Sequence, residues 1–313
     1  MIKEMSNKEY QDVPAISHSL LVAIRKKGVY PAFLESAFNP EREEVVKDCF
    51  DIGNAYHKLI SEPAVLENFE DYKSQWEAIK EQKGAYLTIE LTESNLYIFD
   101  FGQKRTNLAY EKFAKTLTLS GDDLILNWNE FETVVNMAKK MREFPLFQGF
   151  LTYEVIGFEK SIFQDVNFFG KQIPFKVRPD FLVKIGESYV IVDFKSTKAV
   201  SYDEMERIGE IEGYDIQAED YIDIVSKEFN ISRDSVSFVC FLQSKEFPDI
   251  IKAFKFNSDS LTEARTDIDQ LTSDFWDKYE NFENEGVNAF IDSDLEIHTF
   301  KHYERKINQD LKE

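Results

Sequence analysis

The chain has 313 residues, 43% of them hydrophobic and 14% aromatic, which is enough for one substantial core with appended segments or for two small domains. A formal net charge of −21 excludes a surface that is basic throughout, the usual condition for gripping nucleic acid. The two cysteines, Cys49 and Cys240, lie too far apart to suggest a disulfide framework, and two cannot hold a four-cysteine iron–sulfur cluster; with no bilayer-length apolar run and no signal-peptide core in MIKEMSNKEYQDVP, a soluble cytoplasmic protein is expected.

In chain order, Ile16 to Lys27 reads as an amphipathic helix with Ser17 as N-cap, closed by Gly28, and Pro31 opens a short further turn. Glu41 to Ile60 is a longer helix followed by Pro63, with Gly53 and His57 one turn apart. Gly53 removes side-chain bulk from that face and predicts close approach of another element. Glu67 to Lys83 is polar and helical, Ala85 to Asp100 alternates too weakly to assign, and Asn107 to Leu119 is a short helix. Gly121-Asp122-Asp123 marks a turn and a lobe boundary. Asn129 to Met141 is helical and ends before Pro145; Thr152–Phe158 and Ser161–Asn167 are strand-like. Helices follow at Ser201–Ile211 and Gly213–Phe229, strands at Val236–Gln243 and Ile250–Phe256, and a long acidic helix at Ser258–Asn284. The charged residues after about 285 read as a loosely held tail.

The informative stretch is KVRPDFLVKIGESYVIVDFKST, Lys176 to Thr197. Two β-branched, apolar runs flank Gly186-Glu187-Ser188, a hairpin pattern. If Gly186-Glu187 is a two-residue turn, Asp180 lies opposite Asp193, and Lys195 shares their face while Val192 and Phe194 point away. Two opposed carboxylates repel unless a cation lies between them, and oxygen ligands select hard ions such as Mg²⁺ or Mn²⁺. A lysine beside such an ion can orient, and help deprotonate, an attacking water, or neutralise charge developing on a phosphate. A half-solvated strand with unpaired charges is the bland alternative, and a three-residue turn would shift the register by one.

Pro179-Asp180 followed by Asp193-Phe194-Lys195 resembles the PD-(D/E)xK nuclease motif. Gly53-Asn54-Ala55-Tyr56-His57 resembles the G-x-x-x-H motif of RecB-type nuclease domains, and Gln217-Ala218-Glu219-Asp220-Tyr221 their Q-x-x-x-Y motif. The flanking text, including SIFQDVNFFGKQIPFKVRPDFLV, is most similar to the RecE (exonuclease VIII) branch, over about Ile16 to Tyr221. The resemblance implies an α/β (α+β) restriction-endonuclease-like core, a central mixed sheet flanked by helices with an N-terminal helical lobe. It implies segments of 1–120, 121–257 and 258–313, one integrated domain in the end. It further implies metal binding by Asp180, Asp193, His57, the Phe194 carbonyl and Glu159, the last a better match than Glu154. Catalysis would fall to Asp180, Asp193 and Lys195, with Gln217 and Tyr221 on a supporting helix face that helps Lys195 or touches substrate.

The expected function is Mg²⁺- or Mn²⁺-dependent exonuclease digestion of linear double-stranded DNA ends. Resemblance adds a toroidal homo-oligomer and a single-strand annealing partner. The alternatives are an endonuclease on the same core and a catalytically inactive interaction protein. The basic clusters Arg25-Lys26-Lys27, Lys104-Arg105, Lys139-Lys140-Met141-Arg142 and Lys176–Arg178 read more as solvated faces than as DNA contacts, and His18, His298 and His302 as structural or solvated.

Overall fold

The computed structural model describes residues 1–42, 48–101, 108–120 and 122–290. Lys104-Arg105, Gly121, His298, His302 and the expected tail beyond residue 290 lie outside these residues, as does the side chain of Cys49. Residues 286–290 are not a loose tail but a 3₁₀ turn that buries Phe290 in a stack on Phe33.

Strand β1 (Ile2–Lys3) and helix α1 (Asn7–Asp12) open the chain, and Ser6 with Glu9 forms a capping box that starts α1. Ser17 caps α2 (His18–Lys27) as expected, Gly28 turns with φ of +88°, and α3 (Val29–Glu35) follows. Then come α4 (Asp48–Ser61), α5 (Pro63–Glu67), α6 (Phe69–Ile79), β2 (Tyr86–Glu90), β3 (Asn95–Phe99), α7 (Leu108–Ala114) and β4 (Leu124–Leu126). The stretch too weakly alternating to assign is thus a hairpin, and it pairs with β4 in a three-stranded sheet of its own. That sheet crosses residue 121, so the N-terminal lobe is mixed rather than purely helical.

Next follow α8 (Trp128–Glu143), α9 (Pro145–Phe150), β5 (Glu154–Phe158), β6 (Ser161–Phe168), β7 (Lys171–Val177), β8 (Phe181–Ile185) and β9 (Ser188–Thr197). Helices α10 (Tyr202–Glu212) and α11 (Tyr214–Phe229), strands β10 (Val236–Ser244) and β11 (Ile251–Phe254), and helices α12 (Ser258–Tyr279) and α13 (Phe282–Glu285) complete it. The long acidic helix therefore breaks after Tyr279, where the Asn281 side chain caps back onto the Asp277 carbonyl.

The central sheet is five-stranded, in order β11-β10-β9-β8-β5, and is mixed: β10 and β9 run parallel, their neighbours antiparallel. Strand β6 pairs with β7 and β1 in a separate sheet. The β8–β9 turn has the expected two residues, since Ile185 pairs with Ser188 and Phe181 with Val192. Gly186 takes the left-handed φ of +62° that the turn needs. Alternation then sends Phe181, Val183, Val192 and Phe194 into the core shared with α4, α8 and α9, and Leu182 and Ile191 into the opposite core shared with α2, α11 and α12. Both faces are covered, so the strands are apolar on both sides.

Helix α11 passes between the central sheet, β6–β7 and α12, and is buried without a break from Ile216 to Ser226. A helix buried all round whose sequence is DIQAEDYIDIVS must satisfy every polar side chain inside the protein, or keep it for a purpose.

Candidate active site

Asp180 follows directly on Pro179, one residue before the β8–β9 ladder begins. Its Oδ2 accepts a hydrogen bond from the Phe194 N–H at 2.7 Å, so the two motif halves are joined across the strands. Its Oδ1 stands 3.3 Å from Nδ1 of His57, which α4 presents from the other side of the sheet. Asp193, on β9, is enclosed among charged and polar groups. Lys195 Nζ lies 2.9 Å from its Oδ1 and 2.8 Å from its Oδ2, and Gln217 Nε2 donates to Oδ1 at 2.6 Å. Cys240 Sγ, on the paired strand β10, sits 3.8 Å from Oδ2.

Charge explains the titration of these groups. Burial raises Asp193, and the neighbouring Asp180 carboxylate adds to that against the opposing pull of Lys195, leaving its pKa above the ordinary value. For Asp180 burial acts upward too, but the His57 charge and hydrogen bond outweigh it and the pKa falls. His57 is pushed down by burial and more strongly up by Asp180, ending raised. Lys195 is likewise disfavoured by burial, yet Asp193 and Asp180 hold it firmly as an ammonium ion.

The Q-x-x-x-Y pair sits on one face of α11 but supports different partners from those expected. Gln217 grips Asp193 rather than Lys195, and the Tyr221 hydroxyl donates to the Arg178 carbonyl at 3.3 Å, bracing the Arg178-Pro179-Asp180 segment. Glu159 has the left-handed φ of +46°, and its carboxylate accepts from Arg178 Nη2 at 3.0 Å. Its N–H bonds the Asp180 carbonyl, so it buttresses that residue through the backbone. Glu154 lies away from this centre, exposed on β5. A Cβ on Gly53 would meet nothing within 4 Å among the described residues, so the expected close approach at that glycine is not what it serves.

His57, Asp180, Asp193, Lys195, Gln217 and Tyr221 line one cavity of about 260 Å³, together with Glu159 and Arg178. His18, Tyr10 and Asn7 line it too, none of which the motifs point to. His18 opens α2, and its enclosure beside Lys195 pushes its pKa down to about 3, which keeps it neutral. Asn7 and Tyr10 belong to α1, which lies over the site because Asp122 accepts from the Asn7 N–H at 2.9 and 3.0 Å. The basic cluster at Lys176–Arg178 is no solvated face: Lys176 is buried and Arg178 nearly so. Arg142 is spent on the Ile60 carbonyl, Lys139 on the Phe69 ring and Lys140 on Asp249, while Lys26 and Lys27 pair with Glu212 and Glu35.

A family model described as a PDDEXK-like domain of unknown function (DUF3799) matches residues 17–285. The chain belongs to this family. As a PDDEXK-like domain it is similar in fold to the crystal structure of a "putative exonuclease" from Eubacterium rectale, with a TM-score of 0.54 at 13% identity over 90% of this chain and 88% of that one. A second solved structure, SSO0001, aligns over 47% of this chain and 62% of its own at 14% identity and a TM-score of 0.29, which carries no argument. No curated protein matches the sequence.

PDDEXK nucleases generally use divalent metals, and the donors of this site suit one. Among the described residues no group of three or more His, Cys, Asp or Glu side chains stands so that it could hold a metal ion, and the Asp193 oxygens are engaged by Lys195 and Gln217. The chemistry nonetheless fits a hard cation. Two acceptor-only carboxylates, an imidazole and the buried Oε1 of Gln217, which has no hydrogen-bond partner among the described residues, line the same cavity. Among the described residues no helix is long and apolar enough to cross a membrane.

Proposed function

We propose that this PDDEXK-like domain is a metal-dependent deoxyribonuclease, a RecE-like exonuclease that resects linear double-stranded DNA from its ends by hydrolysing phosphodiester bonds. The observation that carries the reading is the convergence of Asp180, Asp193, Lys195 and His57 on one cavity. Its exonuclease and RecE-like parts rest on the resemblance of the sequence flanking the motifs to the RecE branch. A homo-oligomeric ring and a single-strand annealing partner belong to the same proposal.

Asp180, Asp193 and His57, with the Phe194 carbonyl that the resemblance adds, would hold Mg²⁺ or Mn²⁺. When bound, the ion supplies an acidified water and neutralises charge on the phosphodiester. The rest falls to the chain. Lys195, held as an ammonium ion by Asp193 and Asp180, donates hydrogen bonds to the attacking oxygen or to the developing phosphoryl charge. Gln217 fixes the Asp193 carboxylate, so that its oxygens do not have to reorganise during the reaction. Tyr221 holds the backbone of Arg178 and thereby the approach to Asp180. Glu159 is already engaged by Arg178 and acts through that pair and through the Asp180 carbonyl.

End-labelled linear duplex and closed circular duplex, incubated with Mg²⁺, Mn²⁺ or EDTA, test this. Metal-dependent loss of the linear substrate alone, abolished in Lys195→Ala, is expected. Cleavage of circles would turn the reading to an endonuclease, and cleavage indifferent to Lys195 would end the mechanism.

A further inference from the structure

Arg178 and Lys176 belong to one short basic run, yet the protein treats their charges differently. Lys176 is fully spent: its ammonium donates to the carbonyls of Tyr10 and Val13 at 2.8 Å each and of Gln11 at 3.3 Å, at the end of α1. Arg178 is not. Its side chain is only 9% exposed, and Nη2 serves Glu159 at 3.0 Å. Nη1 is buried and has no hydrogen-bond partner among the described residues. The guanidinium lies 5.6 Å from the centre of the Tyr10 ring, a surface that holds its plane without using its donors. Its main chain is pinned by Tyr221, and Pro179 fixes the step from Arg178 to Asp180.

A buried guanidinium with an idle N–H is expensive to keep unless something takes the donor. The residue lines the same cavity as Asp180, Asp193 and Lys195. An arginine fork is suited to oxygens of a planar or tetrahedral anion, where two parallel N–H donors fit two acceptors. Lysine lacks that geometry.

We propose that Arg178 is a substrate-binding residue that takes a non-bridging oxygen of a DNA phosphate next to the one being cleaved. Glu159 and Tyr10 hold the fork in place and leave Nη1 for the ligand. The identification of the anion as a DNA phosphate rests on the nuclease reading above; the spare donor does not.

The test pairs the residue with single phosphates. Short blunt duplexes carrying one uncharged methylphosphonate at successive positions from the end are titrated, in Ca²⁺, against the full chain and against Arg178→Met and Arg178→Lys. Affinity is read by fluorescence anisotropy. On unmodified DNA, Arg178→Met is expected to bind about 10-fold more weakly or worse, with Arg178→Lys between it and wild type. At one position the methylphosphonate should weaken wild type by a similar factor and leave Arg178→Met unchanged within about 2-fold. A merely structural arginine would give losses that multiply at every position, and that outcome, or unaltered binding by Arg178→Met, overturns the proposal. So does a wild-type chain that does not bind duplex at all. If Arg178→Met does not fold by circular dichroism, Arg178→Lys against the same substrates separates the two cases by the same pairing. Binding with the expected pairing but no cleavage in Mg²⁺ or Mn²⁺ would support the phosphate contact while removing the nuclease reading.

Discussion

Gln243 ties the helix that bears His57 to the catalytic sheet, and its removal gives a sharp stability prediction. It is fully buried on β10; its Oε1 accepts from the Tyr56 hydroxyl at 2.6 Å, and its Nε2 donates to the Met137 carbonyl at 3.0 Å and the Pro248 carbonyl at 2.6 Å. Gln243→Leu keeps the volume but strands the Tyr56 hydroxyl and the Pro248 carbonyl, while the Met137 carbonyl keeps its bond within α8. At about 1–3 kcal/mol for each buried group left unsatisfied, and allowing for partial relaxation at the half-buried Pro248, the cost is about 2–4 kcal/mol. Tyr56→Phe orphans only the amide oxygen and costs about 1–2 kcal/mol. Adding Tyr56→Phe to Gln243→Leu should cost nothing further, because the stranded hydroxyl goes with it; the cycle then shows a coupling of about 1–2 kcal/mol. Urea unfolding midpoints at constant slope provide the readout. Additivity within about 0.3 kcal/mol, or a Gln243→Leu cost below about 1 kcal/mol, would refute the assignment of this amide as the clasp. Since His57 adjoins Tyr56, both single variants should also lose cleavage activity at temperatures where they remain folded.

Gln217→Leu removes the 2.6 Å donor on Asp193 without touching Lys195, and kcat should fall about 10–100-fold with KM little changed; an unaltered kcat in a single-turnover assay would show that the carboxylate needs no such support. Asp220 is buried on α11 with no partner for Oδ2 among the described residues, and burial, reinforced by Asp223 and opposed by Arg265, raises its pKa well above the usual carboxylate value. A raised folded-state pKa contributes stability that is complete below the unfolded value of about 3.9 and is lost as pH rises, so Asp220→Asn should stabilise by about 1–2 kcal/mol at pH 8 and by much less at pH 4. A gain independent of pH in thermal unfolding would contradict this. Cys240 is buried with its thiol pushed up by burial and by Asp193, so iodoacetamide should leave it unmodified in the native protein at pH 8 and label it only after denaturation, as read by peptide mass spectrometry.

Local chemistry in the sequence was sufficient for the central hairpin. Gly186-Glu187 between apolar β-branched runs favours the two-residue turn, and a slip by one residue would exchange Val192 and Phe194 for Asp193 and Lys195 and carry those charges into the core shared with α4, α8 and α9. From that register came the common face of Asp180, Asp193 and Lys195. The spacing of Gln217 and Tyr221 likewise placed both on one side of a helix. What those two side chains touch was beyond the sequence, since helical spacing gives a direction and not a neighbour. The sequence gives α11 only as a helix with Gln217 and Tyr221 on one face, and its enclosure between two sheets and α12 turns its acids, amide and tyrosine into interior groups with specific partners. The same holds for Arg178 and Lys176. A basic run looks solvated in sequence because charge prefers water, and it is buried here only because α1 folds back to offer its terminal carbonyls to Lys176 and the Tyr10 ring to Arg178. Hairpins and helix faces depend on residues close in the chain and so are written locally. Whether a charged side chain ends in solvent, in an ion pair or in a cavity with a donor to spare depends on segments more than a hundred residues apart, such as Tyr10 and Lys176, and only the tertiary structure brings them together.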